Sequence, residues 1–375
     1  MPFREFEENI DTGKNNVGFG IDLTNKCNMN CPTCFYVEDP RNRVFTENVD
    51  MYAEEFKTAV TEAKDNGFRE FYILGGEPTV HPQILDILTY AARFDFNPLI
   101  LVTNGIRLAN EDFARKVAET GAMVAVQRHV IGNGEEESRI QDVVMGVPNT
   151  LPTINKAFEN IEEYFSPDKV AVQCCITKPI VESEQLYEVF RYAKQNGFEQ
   201  VIECTKSGTR FERGNVLDIS PTELREVYQT LQKIDKEEFG INVENLSPQA
   251  YGKTCHMPET GVHCLIDGTI VPCVGQQVPL GNIFKGDQLR DILQSSKRKF
   301  FQDVVERIEG YCKSCEDLPD CSGGCRGEAY ERTNCFSAGS PYCPQHTIED
   351  MNALLPNSCG GCELEDFGGC SLESK

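Results

Sequence analysis

Three cysteines near the start of the chain have the residue type and spacing for metal chemistry. Cys27, Cys31 and Cys34 stand in TNKCNMNCPTCFY with the spacing C-x3-C-x2-C. Three thiolates so close in one loop can hold three corners of an iron–sulfur cubane and leave the fourth iron open to a small molecule. A zinc loop completed by a distant fourth ligand has the same local pattern. One helix and one strand further on comes Gly75-Gly76-Glu77-Pro78. Its glycines let the backbone approach a ligand and donate hydrogen bonds, while Glu77 can fix the turn. Taken alone, a Gly-Gly pair after a strand is a tight turn.

The later cysteines are also clustered: Cys255-x12-Gly268-x4-Cys273, then Cys312-x2-Cys315-x5-Cys321-x3-Cys325, then Cys343, with Cys359, Cys362 and Cys370 in a glycine-rich tail. The opening MPFREFEENIDTGKNN lacks the apolar stretch of a signal peptide, and no apolar run is long enough to span a membrane. The chain is therefore expected to be cytoplasmic, with no membrane partner. Thiols stay reduced in that compartment, so its 18 cysteines are expected to be mostly metal ligands. Thirty-six Lys and Arg against 59 Asp and Glu give a formal charge of −23, which argues against nucleic acid as a partner. The acidity reads as a solvated surface, with attraction of a cationic substrate as the alternative.

The elements that must carry these residues alternate. Apolar runs predict strands at Val17–Thr24, Glu70–Leu74, Leu99–Thr103, Met123–Gln127, Val170–Ile176 and Gln200–Cys204. Amphipathic runs predict helices at Met51–Asn66, Gln83–Arg93, Asn110–Thr120, Ile154–Phe165, Glu184–Asn196 and Thr222–Glu238, several closed by a glycine such as Gly67, Gly121 or Gly197. Alternation of this kind is the mark of an α/β fold on a parallel sheet, and six units are too few for the usual eight-stranded closure. The expectation is a partial, open (βα)6 TIM-like barrel over 17–241, after an extension at 1–16. A small cysteine-rich unit follows at 242–350, with metal in place of much of its core, and then a Cys/Gly-rich tail at 351–375.

The cysteine loop resembles that of the radical SAM superfamily, and the GGEP run one unit later strengthens the likeness. The resemblance implies a [4Fe–4S] cluster on Cys27, Cys31 and Cys34 whose open iron binds the amino and carboxylate groups of S-adenosylmethionine. It further implies reductive cleavage to a 5′-deoxyadenosyl radical that abstracts hydrogen from a substrate. Gly75, Gly76, Glu77 and Pro78 then bind the methionyl amino group. The family's usual aromatic residue before the third cysteine is here Thr33, which passes the adenine contact to Phe35 or Tyr36. Asn104, in a Thr-Asn-Gly run, is placed at the ribose or in a simple turn. Strand alternation directs Gln127, His129, Gln173, Cys175 and Thr177 inward, with Glu203 on the sixth strand. His129, Arg128, Cys175 and Glu203 are the catalytic candidates, ordinary interior packing being the alternative for the thiol and the amides.

Residues 255–343 resemble the SPASM domain, which binds two auxiliary [4Fe–4S] clusters. By that resemblance Cys255, Cys273 and Cys325 hold one cluster, and Cys312, Cys315, Cys321 and Cys343 the other. Cys264 is the candidate fourth ligand of the first; its alternative is a packed thiol beside Leu265 and Ile266. The architecture implies three clusters, oxidation or crosslinking of a peptide or protein, and a reductase such as flavodoxin or ferredoxin as electron donor. Cys27 lies so near the start that a leader-binding domain is expected as a separate protein, which favours the other reading: a dehydrogenase or epimerase of a small polar molecule such as an aminosugar. A non-enzymatic iron–sulfur carrier is the reading of another class.

Overall fold

The computed structural model describes residues 16–34, 49–205, 215–243, 257–276, 278–333, 335–340 and 343. Phe35, Tyr36, Cys255 and the tail cysteines Cys359, Cys362 and Cys370 lie outside the described residues. Among those described, no helix is long and apolar enough to cross a membrane.

The first half alternates strand and helix as its apolar pattern requires. Strands β1 (Gly18–Asp22), β2 (Glu70–Leu74), β3 (Leu99–Thr103), β4 (Met123–Gln127), β5 (Val170–Ile176) and β6 (Glu199–Cys204) are all parallel, each bonded to its predecessor. Between them run α1 (Ala53–Asp65), α2 (Ile84–Ala91), α3 (Glu111–Glu119), α4 (Glu135–Met145), α5 (Leu151–Tyr164), α6 (Lys178–Glu182) and α7 (Gln185–Gln195), and α8 (Pro221–Glu238) follows β6. Ser220 and Glu223 form a reciprocal capping box at the start of α8. Successive strands that neighbour in space, with helices as crossovers, make the open (βα)6 arrangement.

Strand alternation splits the sheet into two faces. Phe19 and Ile21 of the first strand, with Leu23 just beyond it, join Val124, Val126, Val172, Cys174 and Ile176 in the large core between sheet and helices. On the inner face Ile100, Met123, Ala125 and Ala171 form a smaller apolar floor, edged by Tyr72, Val102 and Val201.

The second half extends the same sheet. Strand β7 (Val262–Cys264) pairs parallel with β1, and β8 (Thr269–Val271) and β9 (Gly281–Asn282) add antiparallel, giving the order β6-β5-β4-β3-β2-β1-β7-β8-β9. The first strand is thus an interior strand, not an edge. Helices α9 (Leu289–Leu293), α10 (Ser296–Gln302) and α11 (Arg326–Thr333) lie in this half, with shorter helical turns at Met257–Thr260, Gly310–Ser314 and Leu318–Cys321. The division anticipated near residue 242 therefore falls within one hydrogen-bonded sheet.

Candidate functional site

The cysteine loop leaves the C-terminal end of β1 and is held from three sides. From the second strand, the amides of Gly76 and Glu77 donate to the carbonyls of Thr24 (2.7 Å) and Lys26 (2.8 Å). Only glycine permits this contact: Gly75 has φ +137°, a Cβ there would lie 2.5 Å from Thr24 O, and one on Gly76 would overlap Lys26 O. From the third strand, Asn104 Nδ2 donates to Asn28 Oδ1 at 2.7 Å. From α4, the Met145 carbonyl accepts from the Asn30 amide at 3.1 Å, and Gly146, at φ +66°, sits directly against Asn30 O.

Glu77 ties two of these sides together. Its Oε1 accepts from the Thr79 amide (3.0 Å), the Thr79 hydroxyl (2.5 Å) and the Thr103 hydroxyl (2.6 Å), and its Oε2 from the Asn104 amide (2.7 Å). Burial pushes its carboxyl up while these donors oppose the shift. Glu77 therefore clamps the ends of β2 and β3, and Pro78 opens the 3-10 turn Pro78–Val80 that follows. The Gly76 amide, on a glycine expected to donate to a ligand, is instead used with the Glu77 amide to hold the cysteine loop.

The three thiols act on one another. Burial pushes the Cys31 thiol up to about 12, with Cys34, Cys27 and Cys175 adding to the effect. Burial also raises Cys27, against which the Met29 amide donates to its sulfur at 3.4 Å. Buried thiols such as Cys27 and Cys31 become thiolates when a cation balances them, which is the chemistry a cluster would supply, but among the described residues the three cysteines are not drawn together into a group that could hold a metal.

The inner face below this loop is polar near its mouth. Gln127 pairs in register with Gln173, and Cys175 with Glu203; all four are half-exposed and stand opposite in phase to the core residues Val126, Val172, Cys174 and Ile176. Two of the other catalytic candidates point elsewhere. The fourth strand ends at Gln127, so the alternation stops there. Arg128 turns into the helix layer, its guanidinium 4.3 Å from the ring centroids of both Phe158 and Tyr192 and bonded to Asn155 Oδ1 at 3.2 Å. His129 lies 3.8 Å from the sulfur of Cys174, a core residue, and burial lowers its imidazole to about 4. Neither reaches the lumen, which corrects the expectation for both.

In the second half other cysteines lie in two places, and among the described residues neither place gathers three side chains able to hold a metal ion. The thiols of Cys312, Cys343 and Cys321 act on one another electrostatically, and Cys315 acts on Cys321. Separately, Gly275 and Gly327 pack so closely that a Cβ on Gly327 would lie 2.7 Å from Gly275 O, which brings the loop of Cys273 against the helix that follows Cys325. Cys264 is in neither place. It pairs in register with Ile21 on the helix-facing side of the sheet, fully buried, where burial keeps its thiol protonated. The candidate fourth ligand is therefore the packed thiol of its two alternatives. Cys335 is buried and disulfide-bonded.

Comparison with known proteins decides the family. Residues 21–202 match the model of the radical SAM superfamily, and residues 255–316 match SPASM, an iron–sulfur cluster-binding domain. The chain belongs to the radical SAM superfamily. It is an enzyme of the radical SAM/SPASM type, with S-adenosylmethionine and [4Fe–4S] clusters as cofactors.

Two relatives and one solved structure illustrate the likeness. The chain is 27% identical over 176 residues to a 7,8-dihydro-6-hydroxymethylpterin dimethyltransferase of Methanocaldococcus jannaschii, covering 47% of this chain and 33% of that protein. It is 25% identical over 317 residues to a probable GTP 3',8-cyclase of Methanococcus maripaludis, covering 79% of this chain and 96% of the relative. Its fold matches that of anSMEcpe bound to AdoMet and a Cp18Cys peptide with a TM-score of 0.63 at 19% identity, over 84% of this chain and 90% of that one. Asn104, at the C-terminal end of β3, buttresses the cysteine loop through Asn28. Sequence reasoning missed α4, whose final Gly146 was the available signal.

Proposed function

We propose that this enzyme oxidatively modifies or crosslinks a peptide or protein, using one radical SAM cluster on Cys27, Cys31 and Cys34 and two auxiliary clusters. Cys273 and Cys325, with Cys255, serve the first auxiliary cluster; Cys312, Cys315, Cys321 and Cys343 serve the second. When bound, S-adenosylmethionine and its cluster supply the radical that takes a hydrogen atom from the substrate. The protein's own residues position the reactants. Gly75, Gly76 and Glu77 fix the cysteine loop, while Gln127, Gln173, Cys175 and Glu203 offer hydrogen bonds and one negative charge to the substrate. Cys175, near enough to Cys31 to influence its ionisation, is the lumen thiol best placed beside the reacting centre.

The observation that carries the peptide reading is the last strand of the sheet: among the described residues β6 has a strand partner on one side only, and Glu203 on β6 and Cys175 opposite it on β5 are half-exposed near its C-terminal end, where an extended chain can pair. The peptide held by anSMEcpe, whose fold is similar, supports the same reading. A small polar substrate is the second reading. It is favoured by the compact polar row above an apolar floor and by the relative named as a GTP cyclase. A reductase of the flavodoxin or ferredoxin type serves as electron donor in either case.

The test is anaerobic reconstitution, reduction and quantification of 5′-deoxyadenosine, for the wild type and for a Cys27→Ala, Cys31→Ala, Cys34→Ala variant. The wild type forms it and the variant does not. No product from a fully iron-loaded wild type would overturn the assignment. Candidate peptides are then followed by mass for loss of two hydrogens, and deuterium transfer into 5′-deoxyadenosine separates a true substrate from idle turnover. Loss of two hydrogens marks oxidation; an unchanged mass with inverted stereochemistry marks an epimerase.

A further inference from the structure

The inner face of the sheet carries charge of one sign. Register and alternation place Asp22 of β1, Glu70 of β2, and Glu199 and Glu203 of β6 on that face, and strands β1 to β6 contain no lysine or arginine. Two cations that border it are engaged elsewhere. Lys26 pairs with Asp50 at 2.5 Å, and Arg128 lies among the rings of the helix layer. Glu70 has its own partners, the Tyr72 hydroxyl and the charge of Arg69.

Asp22 and Glu203 differ from it. Asp22 is 1% exposed and stands in the apolar floor: it pairs in register with Leu74, and the same row runs on through Val102 and Ala125 to Ala171. Among the described residues, His263 Nε2 lies 2.9 Å from Asp22 Oδ1 without the alignment of a hydrogen bond, and no donor reaches Oδ2. A carboxylate is an acceptor with room for about four donors, and an ionised one in apolar surroundings without them costs free energy. Glu203 is half-exposed higher on the same face, opposite Cys175, and among the described residues no hydrogen bond or ion pair engages it. One deep and one shallow carboxylate are thus left for a ligand.

We propose that the substrate is a cation, held through a primary ammonium by Glu203 near the mouth of the inner face and by the field of Asp22 beneath. The inference deepens the proposed function and rests on its placing of the substrate on this face. In the peptide reading the ammonium belongs to a lysine side chain, and in the small-molecule reading to an amino group. An ammonium offers three donors and no acceptor, so it complements two carboxylates. Asp22 need not touch it, because a charge in a buried, low-dielectric setting acts at longer range and is screened little by salt. The formal charge of −23 extends the same attraction to the outer surface.

The test uses the full chain, anaerobically reconstituted, with S-adenosylmethionine and about 0.15 M salt, which screens surface charges beyond about 8 Å. Ligand-observed NMR measures the affinity of three five-carbon probes: cadaverine, 1,5-pentanediol and glutarate. Cadaverine is expected to bind about tenfold or more tighter than the diol, and glutarate least. Asp22→Asn and Glu203→Gln should each remove about that factor for cadaverine, whereas the exposed Glu136→Gln changes nothing. Acetyl-lysine methylamide separates the two sources: tighter binding than cadaverine marks a peptide, weaker binding a small amine, and either supports the proposal. Equal affinity for the three probes, or none, would overturn it. So would a parallel loss of S-adenosylmethionine affinity in both lumen variants, which would assign the carboxylates to the cofactor's own positive charges. If Asp22→Asn fails to fold, the wild-type ranking and Glu203→Gln decide. A wild type that forms no 5′-deoxyadenosine overturns the enzymatic reading itself, a failure distinct from indifference to charge.

Discussion

At the scale of single residues, chemistry follows where a side chain points more than what it is. His129 and Cys175 both had the residue type for catalysis, yet only Cys175 faces the lumen. His129 is held uncharged in the core, which has a consequence for stability. Its folded value, about 4, lies below the ordinary 6.5, so the unfolded chain takes up a proton first as pH falls. Stability is therefore fully present above the ordinary value and is lost on acidification through the window between the two. Between about pH 7 and pH 5 the loss is on the order of 2 kcal/mol. Urea denaturation of the wild type and His129→Gln at both pH values should show the variant losing less; equal losses would assign the acid sensitivity to other groups. The motif cysteines and Gly75–Pro78 were legible because spacing alone specifies them. The orientation of Arg128 and His129 was not, since alternation holds only while the strand continues, and β4 ends one residue before them.

At the scale of elements, the six parallel strands were legible because each is an apolar run bounded by turn residues. Four of them have the bounds that pattern predicted: β2, β3, β4 and β5. Helix α4 was hidden by its composition. It begins Glu135-Glu136-Glu137, acids that favour a helix N-terminus but read as a solvated loop, and its buried positions are few: Ile140, Gln141, Val144 and Met145. Its importance lies at the other end, where Gly146 touches Asn30 in the cysteine loop. A Cβ there has no room and the φ is positive, so Gly146→Ala must displace one backbone or the other. The expected outcome is loss of most iron from the radical SAM site while the auxiliary sites stay loaded, read by iron analysis and EPR. Full loading of all sites in this variant would mean that α4 does not shape the loop. Strands β7 to β9 escaped sequence reading for another reason: at two or three residues each, they are too short to show a period.

At the scale of the whole molecule, the shared sheet makes the two halves one structure. On the inner face, His263 of β7 lies over Gly20 of β1, where a Cβ would overlap Nδ1, and its Nε2 is 2.9 Å from Asp22 Oδ1. Gly20→Ala is therefore expected to cost about 1–3 kcal/mol through overpacking. It should lower the thermal midpoints of secondary structure and of iron–sulfur absorbance together, as one transition. Two separated transitions, only one of them shifted, would show that the halves melt independently. The sheet also fixes an order of events during synthesis. Strand β1 leaves the ribosome before the rest of the barrel, but its partner β7 leaves only after the six barrel strands have been made, tens of seconds later at roughly 5–20 residues per second. Until then the strand that carries the cysteine loop has one unpaired side, so the radical site reaches its final shape only once β7 has been made.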